Sequence, residues 1–168
     1  MPSFDLERII AVDLRPQSLG YVVLEAGDSL IDWGVKDFPG GAYSVRIPLR
    51  AKVNDLLAAC VPDAIVLRRR AGTDAMLPEL EQAAKARGVE VSFLTRRTVK
   101  SYFPGCRNKD QIASAISERF LDLRLLLPPK RKIWKKEYKR MRIFDAAATG
   151  IAYFGEKQKQ TAAPFPPS

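Results

Sequence analysis

Histidine is absent from this chain of 168 residues, and cysteine occurs only at Cys60 and Cys106. A zinc site built from Cys and His ligands is therefore excluded, and so is a catalytic triad that depends on histidine. Two cysteines are too few for a disulfide framework, which is typical of a protein from a reducing compartment. We expect a cytoplasmic location.

Long apolar runs are missing as well. No run approaches the roughly 20 residues that cross a bilayer, and the N-terminus lacks the basic start of a secretory signal. We therefore expect no association with a membrane. Hydrophobic residues still make up 46% of the chain, which is normal for a globular protein. One domain is predicted over residues 1–156, followed by a polar, proline-rich and disordered tail at 157–168.

Acidic residues are scarce in the later part of the chain. Residues 1–62 hold six basic and eight acidic side chains, whereas the other 106 residues carry a net charge of +11. The densest stretch, residues 128–142, has eight basic residues and Glu137 as its only acid. Such clustering predicts a polyanionic partner, above all nucleic acid. The alternative is a solvated helix face that keeps the protein soluble.

Three basic clusters form the predicted nucleic-acid-binding surface: a run near residue 69, a stretch near residue 100 and the segment at 128–142. Their members are Arg68, Arg69, Arg70, Arg96, Arg97, Arg107, Lys130, Arg131, Lys132, Trp134, Lys135, Lys136, Lys139 and Arg140. Phosphate contacts from such residues make binding salt-dependent and do not read sequence. Trp134 and Tyr138, four apart on a hypothetical helix, could stack on exposed bases. Packing against the core is the more common role of aromatic residues at that spacing.

Hydrophobic periodicity predicts the element order β-β-β-α-β-α-β followed by three helices. Short turns join the first three strands, which predicts an antiparallel meander. The later alternation of strands and helices predicts an α/β protein with a mixed five-stranded sheet, parallel in its second half and flanked by helices. The predicted strands are 8–13, 19–25, 29–38, 64–67 and 89–94, and the predicted helices are 43–60, 74–87, 97–102, 109–121 and 143–155.

Two carboxylates stand at informative places in this order. Asp13 ends the first strand and Asp145 opens the last helix. Taken singly, Asp13 is a turn residue and Asp145 is a first-turn acid that the helix dipole favours. The element order is that of the RNase H-like fold, in which acids at such positions converge on metal ions. Together the two residues therefore predict a site for Mg²⁺ or Mn²⁺, which prefer carboxylate oxygen.

Four segments resemble RuvC-type Holliday junction resolvases, a family within the RNase H-like superfamily. The similar features are an Asp at the end of strand one, a fourth strand, a Val-Lys pair before a Gly-bearing loop, and a last helix that begins Phe-Asp-Ala. The resemblance covers about residues 8–155. The segments are IIAVDLRPQSLGYVVLE (9–25), PDAIVLR (62–68), TVKSYFPGCRNKDQIASAI (98–116) and FDAAATGIAYF (144–154).

The resemblance implies roles for four residues. Asp13 and Asp145 match two of the family's four metal-binding carboxylates, and Lys100 and Lys109 match lysines near the scissile phosphate. The implied activity is metal-assisted hydrolysis of a phosphodiester in branched DNA by a homodimer. In that reaction, Lys100 or Lys109 would stabilise the developing charge.

Departures from the family pattern point to a changed centre. Arg68 stands where the family has a Glu, and Ala148 stands where it has a second helix Asp. An arginine close to the acids would neutralise them in a structural ion cluster, whereas the alternative is a strand end that frays into solvent. Asp74 and Asp110 are the acids that could compensate.

We therefore expect a RuvC-like protein that binds branched or structured DNA and that is a Mg²⁺-dependent endonuclease if its site is active. One alternative is a catalytically inactive relative that only binds DNA or RNA. Another is an RNA-processing nuclease of the YqgF-like branch. That branch takes an acid just after strand five, where this chain has none at residues 94–97.

Overall fold

A computed structural model describes residues 7–27, 29–38, 46–130, 132 and 134–162. The five strands form one sheet in the order β3-β2-β1-β4-β5. β1 pairs antiparallel with β2 and parallel with β4. At the edges of the sheet, β3 pairs antiparallel with β2, and β5 pairs parallel with β4. The predicted mixed sheet is therefore confirmed. Its strands are β1 (Arg8–Arg15), β2 (Ser18–Glu25), β3 (Ser29–Asp37), β4 (Ala64–Arg68) and β5 (Glu90–Leu94).

Five helices cover the sheet. They are α1 (Arg46–Cys60), α2 (Leu77–Ala86), α3 (Arg96–Ser101), α4 (Lys109–Arg119) and α5 (Met141–Ala162). Short 3-10 turns at Asp74–Met76 and Leu121–Leu126 precede α2 and follow α4. Asn108 caps α4, because its side-chain oxygen accepts a hydrogen bond from the Gln111 amide at 2.9 Å. No helix in the described ranges is long and apolar enough to cross a membrane.

Alternating residues of β1 serve two separate cores. Ile9 and Ala11 pack in the core beneath α3, α4 and α5, whereas Ile10 and Val12 pack in the core beneath α1 and α2. Successive side chains of a strand point to opposite faces of the sheet. Asp13 therefore shares its face with Ile9 and Ala11 and points towards α5.

Gly20 lets α5 approach this face closely. It lies opposite Asp13 in the pairing of β1 with β2. A Cβ at this position would lie 2.5 Å from the Cβ of Arg142 and 2.6 Å from its backbone carbonyl carbon. Any larger residue would push the first turn of α5 away from the sheet. The missing side chain thus helps to bring Asp145, on that helix, towards Asp13.

The helix ends differ from the sequence-based predictions. α5 begins two residues before the predicted start at 143 and continues to Ala162, so residues 157–162 are helical where a disordered tail was predicted. Residues 163–168 of that tail, and 43–45 of the predicted first helix, lie outside the described residues. The hypothetical helix carrying Trp134 and Tyr138 is absent from the described part of its segment, which is irregular between the 3-10 turn and α5.

Candidate functional site

Asp13 and Asp145 meet at the end of β1, as predicted. Both contact one guanidinium: Arg15 Nε lies 2.8 Å from Asp13 Oδ2, and Arg15 Nη2 lies 3.0 Å from Asp145 Oδ2. Asp13 is only 5% exposed, and a buried charge requires a partner of this kind. The two carboxylates, 132 positions apart in the chain, therefore form one centre.

Arg70 provides a second guanidinium to the same pair. Its Nε lies 2.5 Å from Asp13 Oδ1, and its Nη2 lies 3.5 Å from Asp145 Oδ2. The predicted contact between the arginine run and the acids is present, but it is made by Arg70. Arg68 forms no salt bridge with a carboxylate of the described residues. Thr73 shapes this turn, because its hydroxyl donates a 2.8 Å hydrogen bond to the Arg70 carbonyl.

Lys109 and Glu137 complete the cluster. Lys109 Nζ lies 3.2 Å from Asp145 Oδ2 and 3.0 Å from Glu137 Oε1, and Arg15 Nη1 lies 3.7 Å from Glu137 Oε2. Three carboxylates thus face three cations. The cluster is electrically balanced by its own side chains.

Sequence reasoning missed Arg15 and Glu137 as members of this centre. Arg15 could have been found, because it follows Asp13 by two residues on the same strand and therefore shares its face. Glu137 gave a weaker signal: it is the only acid of the basic segment at 128–142. Its role depends on the path of an irregular segment.

The cluster shifts the acidity of its members. Burial, and then repulsion from Asp13, raise the pKa of Asp145 above its usual value, although Lys109 and Arg70 oppose the change. Burial alone would raise the pKa of Glu137, but the hydrogen bond and charge of Lys109, with Arg15 and Arg70, lower it. Burial alone would lower the pKa of Arg15, but Asp13 and the other acids raise it. Arg15 is therefore a permanent cation.

Replacing Glu137 with glutamine should lower the free energy of unfolding by about 1 kcal/mol at pH 7, the range of a partly exposed ion pair. The folded pKa of Glu137 lies below its ordinary value of 4.5, so the unfolded state binds more protons near that pH. The stabilisation is therefore present above pH 4.5 and is lost as the pH falls through the folded pKa. Urea titrations of wild type and variant from pH 7 to pH 3 measure the difference.

The matched control is Glu118→Gln, on an exposed face of α4 and without a salt bridge among the described residues. It should change stability by less than about 0.5 kcal/mol at every pH. A Glu137→Gln deficit that persists unchanged at pH 3 would contradict the ionic role of Glu137.

A divalent ion does not fit this centre as it stands. Both oxygens of Asp13 and the Oδ2 of Asp145 already accept bonds from arginine or lysine. A metal would add two positive charges to a cluster that is already balanced. No group of three or more Cys, Asp and Glu side chains in the described ranges could hold a metal. We assign no catalytic step to Asp13 and Asp145.

Beside the carboxylates lies a cavity of about 530 Å³, named here the basic cavity. The C-terminal end of β4 and the first turns of α5 form one side of the cavity, and the loop before α4 forms the other. Lys100 and Lys109, the predicted phosphate-contacting lysines, both line it. Asp110 also lines it, but Asp74 does not. Its cationic lining residues are Arg68, Arg70, Arg96, Lys100, Arg107 and Lys109.

The other predicted basic residues that the structure describes lie outside this cavity. Arg69 places its guanidinium 4.4 Å from the centre of the Phe93 ring, and Lys139 pairs with Asp37 at 3.0 Å. The position of Arg131 lies outside the described residues. The remaining members, all exposed, are Arg97, Lys130, Lys132, Lys135, Lys136 and Arg140.

Trp134 is 78% exposed, with Lys132 Nζ 5.5 Å from its ring centre. Packing of Trp134 into the core, the more common role for an aromatic residue at that spacing, is therefore wrong for this residue. An exposed indole beside several lysines is available to a partner.

No family model matches the sequence, and no curated protein matches it. Solved structures do match. RuvC of T. thermophilus in complex with a Holliday junction substrate aligns with a TM-score of 0.67 and 17% identity, over 90% of this chain and 96% of that chain. The yeast mitochondrial Holliday junction resolvase Ydc2 aligns with a TM-score of 0.64 and 14% identity, over 95% and 83%.

The fowlpox virus resolvase, solved with substrate Holliday junction DNA, aligns with a TM-score of 0.55 and 14% identity, over 89% of this chain and 98% of that chain. Likeness at such low identity establishes the fold. The RNase H-like fold of the resolvase type, predicted from the element order and the four segments, is confirmed.

Proposed function

We propose that this protein binds branched nucleic acid, with four-way DNA junctions as its most favoured partner, and that it does not hydrolyse the backbone. The observation that carries this proposal is the basic cavity beside a carboxylate pair in which both oxygens of Asp13 and the Oδ2 of Asp145 already accept bonds from arginine or lysine. The cavity offers cations to phosphate, whereas the acids are already balanced by the cations of their own cluster.

Phosphate binding at the basic cavity would supply affinity and position. Each phosphate that a lysine or arginine neutralises releases counterions, so binding should weaken steeply as salt rises. The exposed basic residues that the structure describes in the segment at 128–142 extend the same surface. Trp134 could stack on a base that the branch point leaves unpaired, a contact that tolerates any sequence.

Branched DNA is favoured over other polyanions by the fold. Two of the similar structures were solved with Holliday junction DNA, and this chain covers nearly the whole length of both. A homodimer, which the resemblance to the resolvases implies, and a cytoplasmic location, which the composition predicts, belong to this proposal. RNA binding is the competing outcome, and the test below includes it.

The decisive experiment measures binding and cleavage in the same samples. Labelled four-way junction, linear duplex and single-stranded RNA are incubated with the protein in Mg²⁺, in Mn²⁺ and in EDTA. We expect the junction to bind most tightly, with binding that persists in EDTA and so requires no divalent ion, and no substrate to be cut. Wild type is compared with Asp13→Asn, with Asp74→Asn, an exposed acid outside the cavity, as the matched control.

Two results would contradict the proposal. Metal-dependent cutting that Asp13→Asn abolishes and Asp74→Asn preserves would identify an active nuclease with a rearranged site. Tighter binding of single-stranded RNA than of junction DNA would favour an RNA-directed role. Circular dichroism of Asp13→Asn separates a loss of folding from a loss of function.

A further inference from the structure

Arg68 differs from the other arginines of the site. It ends β4, is half-buried and lines the basic cavity. Arg15 and Arg70 both form salt bridges with Asp13 and Asp145, but Arg68 forms none with a carboxylate of the described residues. A half-buried guanidinium that has no ionic partner leaves much of its desolvation cost uncompensated.

The charges around Arg68 increase this cost. Burial and then the neighbouring Arg70 lower the pKa of Arg68, with a further contribution from Arg96. Asp145 and Asp13 attract the guanidinium, but not enough to reverse the shift. Burial and the repulsion from Arg70 are the larger contributions to the shift. Arg68 therefore carries a positive charge that no carboxylate of the described residues balances in a salt bridge.

The basic cavity brings further donors to the same space. Arg96 lies in the first turn of α3, Lys100 lies one turn further along that helix, and Arg107 lies in the loop before α4. All three are exposed. A volume of about 530 Å³ is large enough for a phosphodiester with part of its two sugars. Guanidinium groups favour phosphate, since two parallel N–H donors match two phosphate oxygens.

We propose that Arg68 binds a backbone phosphate of the nucleic acid inside the basic cavity, with Arg96, Lys100 and Arg107 as additional donors. This inference rests on the proposed function, because it takes the phosphate from a bound nucleic acid. It gives Arg68 an ionic partner, which none of the described carboxylates provides in a salt bridge.

The free protein should gain stability when Arg68 is neutralised. Arg68→Gln removes the repulsion with Arg70 and Arg96 and keeps much of the volume of the side chain. In chloride buffer, the thermal midpoint of Arg68→Gln should therefore be equal to or above that of wild type. Exchanging chloride for inorganic phosphate at constant pH and ionic strength should raise the midpoint of wild type and leave that of Arg68→Gln unchanged.

The matched control is Arg69→Gln, the neighbouring arginine that stacks on Phe93 outside the cavity. It should respond to phosphate as wild type does. In junction titrations, Arg68→Gln should weaken binding roughly tenfold, the range of one charge-assisted phosphate contact, whereas Arg69→Gln should change it less than about threefold. Arg107→Gln, an exposed donor of the same cavity, should weaken binding in the same direction as Arg68→Gln.

The outcomes separate this site from the proposed function. If Arg68→Gln binds the junction as tightly as wild type, the assignment of Arg68 is overturned, but the proposed binding of junctions stands. Wild type that binds no junction overturns the proposed function. In that case, the phosphate exchange still tests the site. A rise in the thermal midpoint that requires Arg68 supports a site for free phosphate. If the midpoint does not rise, or if it also rises in Arg68→Gln, the site is overturned as well.

Discussion

Arg70→Gln should lower the free energy of unfolding by about 3 kcal/mol, near the lower end of the range for breaking a buried ion pair. Asp13 is almost fully buried, and its Oδ1 would lose the guanidinium that lies 2.5 Å away. Arg15 would still neutralise Oδ2, which is why a larger loss is not expected. Urea denaturation at pH 7, followed by far-UV circular dichroism, measures the effect.

A double-mutant cycle assigns the loss to this pair. Asp13→Asn in combination with Arg70→Gln leaves neither a buried carboxylate nor its partner, so the double variant should be more stable than the sum of the two single losses predicts. Arg69→Gln is the matched control and should cost less than about 1 kcal/mol, because its guanidinium stacks on Phe93 at an exposed position. An Arg70→Gln variant as stable as Arg69→Gln would show that the cluster contributes nothing to the fold.

Neutralising three exposed donors of the basic cavity should weaken junction binding about 100- to 1,000-fold at low salt. The triple variant replaces Arg96, Lys100 and Arg107 with glutamine, and each replacement removes one expected phosphate contact. The slope of log K against log salt should become shallower by about 0.9 per lost contact. Titrations of labelled junction at four salt concentrations provide both numbers.

The control for this triple variant has the same change in net charge. Lys52, Lys85 and Arg87 lie in or directly after α1 and α2, which cover the opposite face of the sheet. Their replacement with glutamine should lower affinity less than about fivefold, through long-range attraction alone. Equal losses in the two triple variants would mean that net charge, and not the basic cavity, binds the DNA.

Local pattern was sufficient to predict the architecture. The continuous apolar run of β1 and the apolar positions spaced three and four apart in α2 are properties of a few adjacent residues, and the hydrophobic effect acts on them in any context. The antiparallel first half and the parallel second half of the sheet followed from the same pattern, since connections in such sheets are strongly constrained. The meeting of Asp13 with Asp145 was predicted from the RNase H-like element order. The predicted C-terminal ends of β4 and α2 agree with the structure to within one residue, whereas α2 begins three residues after its predicted start, behind a 3-10 turn.

The centre itself required the packed molecule. Arg70 and Asp13 are 57 positions apart, and Glu137 reaches Arg15 and Lys109 from an irregular segment with no periodicity to read. Which of three consecutive arginines pairs with Asp13 depends on the turn after β4. Arg70 forms that pair, whereas Arg68, two positions earlier, forms no salt bridge among the described residues. Sequence therefore established the fold and the two acids. The ion pairs that occupy those acids, and that leave Arg68 without a salt bridge among the described residues, arise from the tertiary structure, because the energy of an ion pair depends on the distance between the charges and on their burial.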